Sequence, residues 1–283
     1  MQTPPWRREI DDVVRAVCGG MLFGIPLLYT MEVWWIGGAT TPTNMAIVLL
    51  FTLAAVLLLV RTAGFHKKSE MRAPDVFVGA VEAVALGLVA ATVVLVLLRE
   101  ITSDTPFAVA LGKVIYEAAP FALGVAVARH VFTRSRDEAD KTSGHSTDHD
   151  GVRGTVADLG ATFIGALFVA FNISPTEEIP MLSAASSPLA LLAVIGASLV
   201  ISYGIVFEAG FGDEKKRHEQ LGIFQHPVTE TMAAYLVALA GAALMLLFFR
   251  NIQVGDPAPH VISHIVLLGL PAAIGGAAGR LAV

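Results

Sequence analysis

Long apolar stretches recur along the chain and alternate with short polar segments. A helix rises about 1.5 Å per residue, so roughly 20 apolar residues cross the hydrocarbon layer of a bilayer, which is about 30 Å thick. The pattern therefore predicts an all-α polytopic membrane protein with eight transmembrane helices. The stretches of this length lie at 13–36, 45–65, 76–98, 111–131, 156–173, 188–209, 229–249 and 261–283.

The composition agrees with a membrane protein. Hydrophobic residues make up 55% of the chain and charged residues 15%, against about 45–50% and about 25% in soluble domains. The formal net charge of −5 gives no basic surplus that would indicate nucleic acid. A single cysteine, Cys18, excludes an internal disulfide. The first stretch is too long for a cleavable signal peptide, so we expect it to remain as a span.

The basic residues predict the orientation in the membrane. With the N-terminus inside, sixteen of the nineteen lysines and arginines fall on the cytoplasmic side. Only Arg99, Lys113 and Arg250 fall on the other side. Because cytoplasmic loops carry the excess of basic residues, both termini are predicted to be cytoplasmic. Trp34 and Trp35 then end the first span, where we expect their indole rings at the boundary between water and lipid.

The two halves of the chain resemble one another. At an offset of 146, Pro42 matches Pro188 and the triplet Ala63–Phe65 matches Ala209–Phe211. At an offset of 151, Arg99 matches Arg250 and Pro120 matches Pro271. We predict two four-helix repeats, 1–132 and 152–283, joined by a polar cytoplasmic linker, 133–151. Since each repeat has four spans, the repeats should be parallel and related by a pseudo-two-fold axis along the membrane normal.

Acidic residues near the predicted outer surface are the first candidates for function. Glu32 and Glu178 occupy matched positions, each two residues after a threonine, Thr30 or Thr176. An ionisable side chain at mid-membrane costs about 2.5–3.5 kcal/mol, so such residues face protein, water or a partner. Two carboxylates with hydroxyl groups suit hard cations or protons. The alternative interpretation is that both are solvated charges at the ends of spans.

The second half contains a helix-breaking run directly before this position. Asn172–Pro175 should interrupt the fifth span, because proline lacks an amide hydrogen and disfavours helix before itself. Glu177 and Glu178 follow. A broken span that lines a cavity frees carbonyl groups for a cation, whereas an ordinary loop would merely end the span early. We expect the interruption in the second half only.

Four further ionisable residues lie within predicted spans. Glu82 is the deepest acid, about two turns from the cytoplasmic end of the third span. Glu117 lies near the outer end of the fourth span, and Lys113, at i−4, is placed to neutralise it in an ion pair. His264 takes the place of Lys113 in the second half, either as a group that titrates near neutral pH or as a hydrogen-bonded boundary residue.

Other polar residues suggest little chemistry. Asp158, Glu208 and Glu230 are interpreted as charges at the cytoplasmic boundary. His145 and His149 would form an i,i+4 pair only if the linker were helical, so metal binding stays undecided. The chain lacks the phosphate-binding, zinc-hydrolase and serine-hydrolase motifs, and we expect neither an enzyme nor a cofactor.

Two stretches, Gly24–Trp34 and Tyr116–Gly124, resemble an uncharacterised bacterial integral membrane family. The similarity extends over most of the chain. It implies a multi-span protein of the bacterial cytoplasmic membrane, and it brings neither an activity nor catalytic residues.

We therefore expect a pathway for a small inorganic cation or a proton, either a channel or an ion-coupled transporter, embedded in the lipid bilayer. The alternative is a membrane-embedded sensor or interaction protein that binds its partner through the linker and the basic loops 66–75 and 212–228. The small residues Gly275–Gly279 suit close helix packing, either between subunits of a homo-oligomer or within one chain.

Overall fold

The computed structural model describes residues 5–64, 73–128, 151–208 and 226–281. These residues form helices joined by short turns, and no strand occurs among them, so the all-α prediction is confirmed. The chain divides into two compact units. Unit 1 comprises Met1–Val96 and Ile101–Asp137, and unit 2 comprises Leu97–Glu100 and Glu138–Val283.

Unit 1 is built around its last helix. Its helices are α1 (Pro5–Leu28), α2 (Met31–Ala39), α3 (Pro42–Gly64), α4 (Ala73–Leu97) and α5 (Phe107–Val127). Helix α5 packs against α1, α2 and α3. A buried aliphatic cluster, which includes Val56, Ala83 and Val125, also joins α5 to α3 and α4.

Unit 2 also packs around its last helix. Its helices are α6 (Gly151–Ile173), α7 (Glu178–Ala185), α8 (Pro188–Tyr203) with a π-helical turn at Gly204–Glu208, α9 (Pro227–Phe248) and α10 (Ala258–Leu281). Helix α10 contacts the four other helices and is largely buried.

Six helices of the described chain are long and apolar enough to cross a membrane: α3, α4, α5, α8, α9 and α10. Helices α1 and α2 are long enough only if the two are counted as one span, and the same holds for α6 and α7. The chain bends by 90° between α1 and α2 and by 89° between α6 and α7. The predicted interruption after Asn172 is confirmed, because α6 ends at Ile173. The prediction that 13–36 forms one unbroken helix, with an interruption in the second half only, was wrong.

A tryptophan completes the break in unit 1. Helix α1 ends at Leu28, and the carbonyl oxygen of Leu28 accepts a hydrogen bond of 2.7 Å from Trp34 Nε1. The last carbonyls of a helix have no partner within it, so a buried donor at this point stabilises the end. Trp34 is fully buried, which corrects its predicted place at the lipid boundary, while Trp35 is exposed.

Two side chains complete the corresponding break in unit 2. The hydroxyl of Thr176 donates to the Ile173 carbonyl at 2.5 Å, and the amide of Asn251 donates to the Ser174 carbonyl. Ser174 is the residue that matches Leu28 at the offset of 146 between the two halves. The same backbone position is therefore hydrogen-bonded in both units, by an indole in one and by an amide in the other.

Helices α4 and α9 end in the same backbone conformation. Arg99 and Arg250 both have φ of 63°, a left-handed value that is uncommon for residues other than glycine. In each case the amide two residues later donates to the carbonyl four residues before the arginine, from Ile101 to Leu95 at 3.2 Å and from Ile252 to Leu246 at 3.4 Å. At the end of α9 the Asn251 backbone amide also donates to the Leu246 carbonyl, at 2.9 Å, which is the bond that closes a helix C-terminus in a Schellman motif.

Glycines let the central helices approach their neighbours closely. A Cβ atom on Gly275 of α10 would lie 2.5 Å from the carbonyl oxygen of Gly165 in α6. A Cβ atom on Gly37 of α2 would lie 2.9 Å from the carbonyl oxygen of Gly112 in α5. The small residues that begin at Gly275 thus pack against α6 within unit 2, while the homo-oligomer stays a prediction.

Replacing Gly165 by alanine tests this close approach. We expect Gly165→Ala to destabilise the protein by about 1–3 kcal/mol, because the methyl group meets the α10 backbone. Gly160, in the same helix, has open space around it, so Gly160→Ala should be neutral or up to about 1 kcal/mol more stable. Thermal unfolding in detergent measures both, and equal stability of the two variants would contradict the packing.

Candidate functional site

One face of α5 lies opposite the helix break of unit 1. Lys113, Glu117 and Phe121 are spaced four residues apart and share this face. Lys113 lies beside α2, because a Cβ atom added to Gly38 would lie 3.7 Å from Lys113 Cε. Phe121 lies against α1, because a Cβ atom added to Gly24 would clash with its ring. Glu117 lies between these contacts, so it is positioned at the junction of α1 and α2.

The Glu117 side chain is buried at this junction. The residue is 1% exposed, and its Oε1 atom has no hydrogen-bond partner among the described residues. The predicted ion pair between Lys113 and Glu117 is not made at that oxygen, and it stays a prediction. A buried carboxylate oxygen without a donor is costly. Such a group is suited to a bound cation, a proton or an ordered water.

Unit 2 also buries a carboxylate at its break, but from a different helix. Glu178 begins α7 and is 3% exposed. A negative charge in the first turn of a helix is favourable because it meets the positive end of the helix dipole. Close by, the Ser183 hydroxyl is hydrogen-bonded to that of Ser263 at 2.6 Å, which ties α7 to α10. The residue matched to Glu117 at offset 151 is Leu268.

The other predicted carboxylates lie at the surface. Glu32, in the first turn of α2, and Glu177, just before α7, are exposed. Glu82 is exposed on α4. Glu32 belongs to unit 1 and Glu178 to unit 2, so their predicted pairing around a common axis stays a prediction.

The remaining predicted site residues interact locally. The Thr176 hydroxyl donates to the backbone at the break, while Thr30 is the N-cap residue of α2 and its side chain makes no capping hydrogen bond. His264 is buried, and its Nδ1 atom donates to the His260 carbonyl at 2.9 Å. The two imidazole rings lie 4.0 Å apart. His264 is thus hydrogen-bonded inside α10, as one of its two interpretations required.

A buried arginine at the opposite end of unit 2 was missed by the sequence analysis. Arg280, in the last turn of α10, is 2% exposed and donates to Glu230 of α9. Its Nη2 atom lies 3.8 Å from Asp158 Oδ2 of α6, and its guanidinium lies 5.5 Å from the centre of the Phe207 ring. One cation therefore joins three helices and the π-helical turn.

The sequence contained a weak signal for this cluster. Asp158 and Glu230 were interpreted as boundary charges, and their side chains are indeed 25% and 23% exposed. Arg280 matches Arg129 at offset 151, but Arg129 lies outside the described residues. Thr162, Ser202 and Thr231 line a small cavity together with Arg280.

Metal binding finds no support among the residues that the structure describes. No group of three or more histidine, cysteine, aspartate or glutamate side chains in these ranges could hold a metal ion. His145 and His149 of the predicted linker lie outside the described residues.

The family of the chain follows from comparison with known proteins. Residues 12–283 match the family described as "Putative integral membrane protein (DUF2391)". The chain belongs to this family and is an integral membrane protein with several apolar helices. No curated protein and no solved structure matches the chain.

Removing the buried guanidinium tests the Arg280 cluster. We expect Arg280→Gln to destabilise the protein by about 3 kcal/mol, because two neighbouring carboxylates lose their counter-charge in a partly desolvated site. Arg61 is exposed in the last turn of α3, so Arg61→Gln should change stability by less than about 0.5 kcal/mol. Thermal unfolding in detergent compares them, and an equally small effect of both substitutions would contradict the cluster's structural role.

Proposed function

We propose that this member of the integral membrane family provides a pathway for a small inorganic cation or a proton, as a channel or an ion-coupled transporter. The observation that carries the proposal is that each unit buries one carboxylate beside a broken helix, Glu117 in unit 1 and Glu178 in unit 2. Intramembrane carboxylates and discontinuous helices are the usual components of ion and proton sites in membrane proteins.

The chemistry of the two breaks favours a cation over an anion. The carbonyl oxygens of Leu28 and Ser174 already accept hydrogen bonds from Trp34 and Asn251. The carboxylates buried at the breaks add negatively charged oxygens, which attract cations and protons.

The proposal includes two copies of one module in parallel orientation. Both units run through a long helix, a bend of about a right angle, a short helix and three long helices. The left-handed arginines at the ends of α4 and α9 recur with the same φ. The excess of basic residues supports cytoplasmic termini. The bacterial inner membrane is the location that the resemblance of Gly24–Trp34 and Tyr116–Gly124 implies.

Flux into liposomes tests the proposal. We expect Glu117→Gln and Glu178→Gln each to lower cation or proton flux by about tenfold or more, equivalent to about 1.4 kcal/mol in the barrier. Both substitutions keep the side-chain shape and remove the charge. Glu9→Gln is the matched control, because Glu9 is exposed on α1, and it should leave flux unchanged.

Two results would contradict the proposal. Unchanged flux in both variants would remove the buried carboxylates from the pathway. If the wild-type protein in liposomes gave no flux under imposed gradients of H⁺, Na⁺ or K⁺, transport would be excluded. That second result would favour the sensor or interaction protein, whose predicted binding segments lie almost entirely outside the described residues.

A further inference from the structure

The two buried carboxyl groups differ in their position on a helix. Glu178 begins α7, where the positive end of the helix dipole stabilises a negative charge. Glu117 lies near the middle of α5, so its own helix provides no such support. It is 1% exposed, and its Oε1 atom has no hydrogen-bond partner among the described residues. A negative charge is therefore better supported at Glu178 than at Glu117.

Helices from two sides pack closely on α5 around Glu117. A Cβ atom added to Gly24 of α1 would clash with the ring of Phe121, one turn after Glu117. On another side, a Cβ atom added to Gly87 of α4 would lie 2.9 Å from the carbonyl oxygen of Ala118, the residue next to Glu117. Backbone and a phenyl ring, rather than water, therefore border this part of α5.

The oxygen atoms near this junction are already hydrogen-bonded. The Leu28 carbonyl accepts from the Trp34 indole, and the Thr40 and Tyr116 hydroxyl groups are bonded to each other at 3.1 Å. Hard metal cations such as Ca²⁺ and Mg²⁺ take about six or more oxygen ligands. A metal cation would have to share or replace these bonds, whereas a proton binds to a single carboxyl oxygen.

In the described part of the chain, no charged group donates to the Oε1 atom of Glu117. The basic residue on the same face of α5 is Lys113, whose side-chain stem runs along α2 at Gly38. Beyond Arg15, α1 carries no charged residue, and α3 carries none before Arg61. The acidic residues of α2 and of the apolar part of α4 are both exposed, and they are Glu32 and Glu82. The other titratable side chains in this part of unit 1 are of types that are neutral at neutral pH, and they are Cys18, Tyr29 and Tyr116.

Desolvation disfavours the charged form of a carboxyl group, so a buried carboxyl group without a partner takes up a proton instead of keeping its charge. We propose that Glu117 is a proton-binding residue, neutral at neutral pH in the conformation described above, and that the pathway carries H⁺ rather than a metal cation. The identity of the ion rests on the proposed function. The protonated state of Glu117 depends on the contacts of unit 1 alone.

Infrared difference spectroscopy of the full chain in detergent tests the protonation state without requiring flux. The C=O stretch of a protonated carboxyl group lies apart from the carboxylate and amide bands, and it shifts when H₂O is replaced by D₂O. We expect this band in the difference between the wild type and Glu117→Gln at neutral pH. Glu9→Gln is the matched control, because Glu9 is exposed on α1, and its difference spectrum should contain only carboxylate bands. Absence of the band for Glu117 would overturn the proposal.

Two further variants make the spectroscopic result independent of one substitution. Leucine occupies the matched position in unit 2, Leu268, so Glu117→Leu provides a second deletion if Glu117→Gln does not fold. Lys113→Gln should leave the carboxyl band of Glu117 as it is in the wild type. A band that appears only in Lys113→Gln would mean that Lys113 keeps Glu117 ionised, and it would overturn the proposal.

Flux in liposomes identifies the ion and separates this inference from the proposed function. Under a pH gradient, H⁺ flux should be equal in sodium, potassium and choline salts. Glu117→Asp, which keeps a protonatable group, should retain part of the flux that Glu117→Gln loses. Flux of Na⁺ or K⁺ without flux of H⁺ would overturn the inference and leave the carboxylate pathway in place. A carboxyl band from Glu117 with no flux of any ion would support the protonated residue and contradict the pathway.

Discussion

The structure depends on hydrogen bonding the backbone at two places where a membrane helix stops. Within hydrocarbon, a carbonyl group without a partner costs several kcal/mol, so a broken span persists only where other groups bond to it. The Trp34 indole and the Asn251 amide donate these bonds to Leu28 and Ser174. Each bond permits a turn of about 90°, and each turn creates the junction at which a carboxylate is buried.

The contact between the short helix and the last helix is made differently in the two units. In unit 1, Gly37 and Gly112 bring the backbones of α2 and α5 together without side chains. At offsets of 146 and 151, these positions are Ser183 and Ser263, whose hydroxyl groups hydrogen-bond between α7 and α10. Small residues at helix contacts allow either solution. If the units descend from one module, this contact has exchanged close packing for a hydrogen bond.

The apolar pattern predicted the helices and the break after Asn172, because both follow from local properties of the chain. The break in unit 1 could not be predicted, since Tyr29 and Thr30 carry no strong helix-breaking signal and the bend is completed by the buried Trp34. Arg280 was missed for a similar reason. Its burial depends on Glu230, fifty residues earlier, and each charge alone resembled an ordinary boundary residue. Local spacing does not reveal a contact between distant helices.

The Arg280 cluster has a consequence for how the helices of unit 2 are held together. Its charge-assisted bond to Glu230 and its approach to Asp158 join α6, α9 and α10 at one end. At the other end, a neutral bond between two serine hydroxyls holds α7 to α10. Charge-assisted bonds are roughly twice as strong as neutral ones. The stronger of these two contacts therefore lies at the arginine, and the weaker one lies in α7, the helix that Glu178 begins.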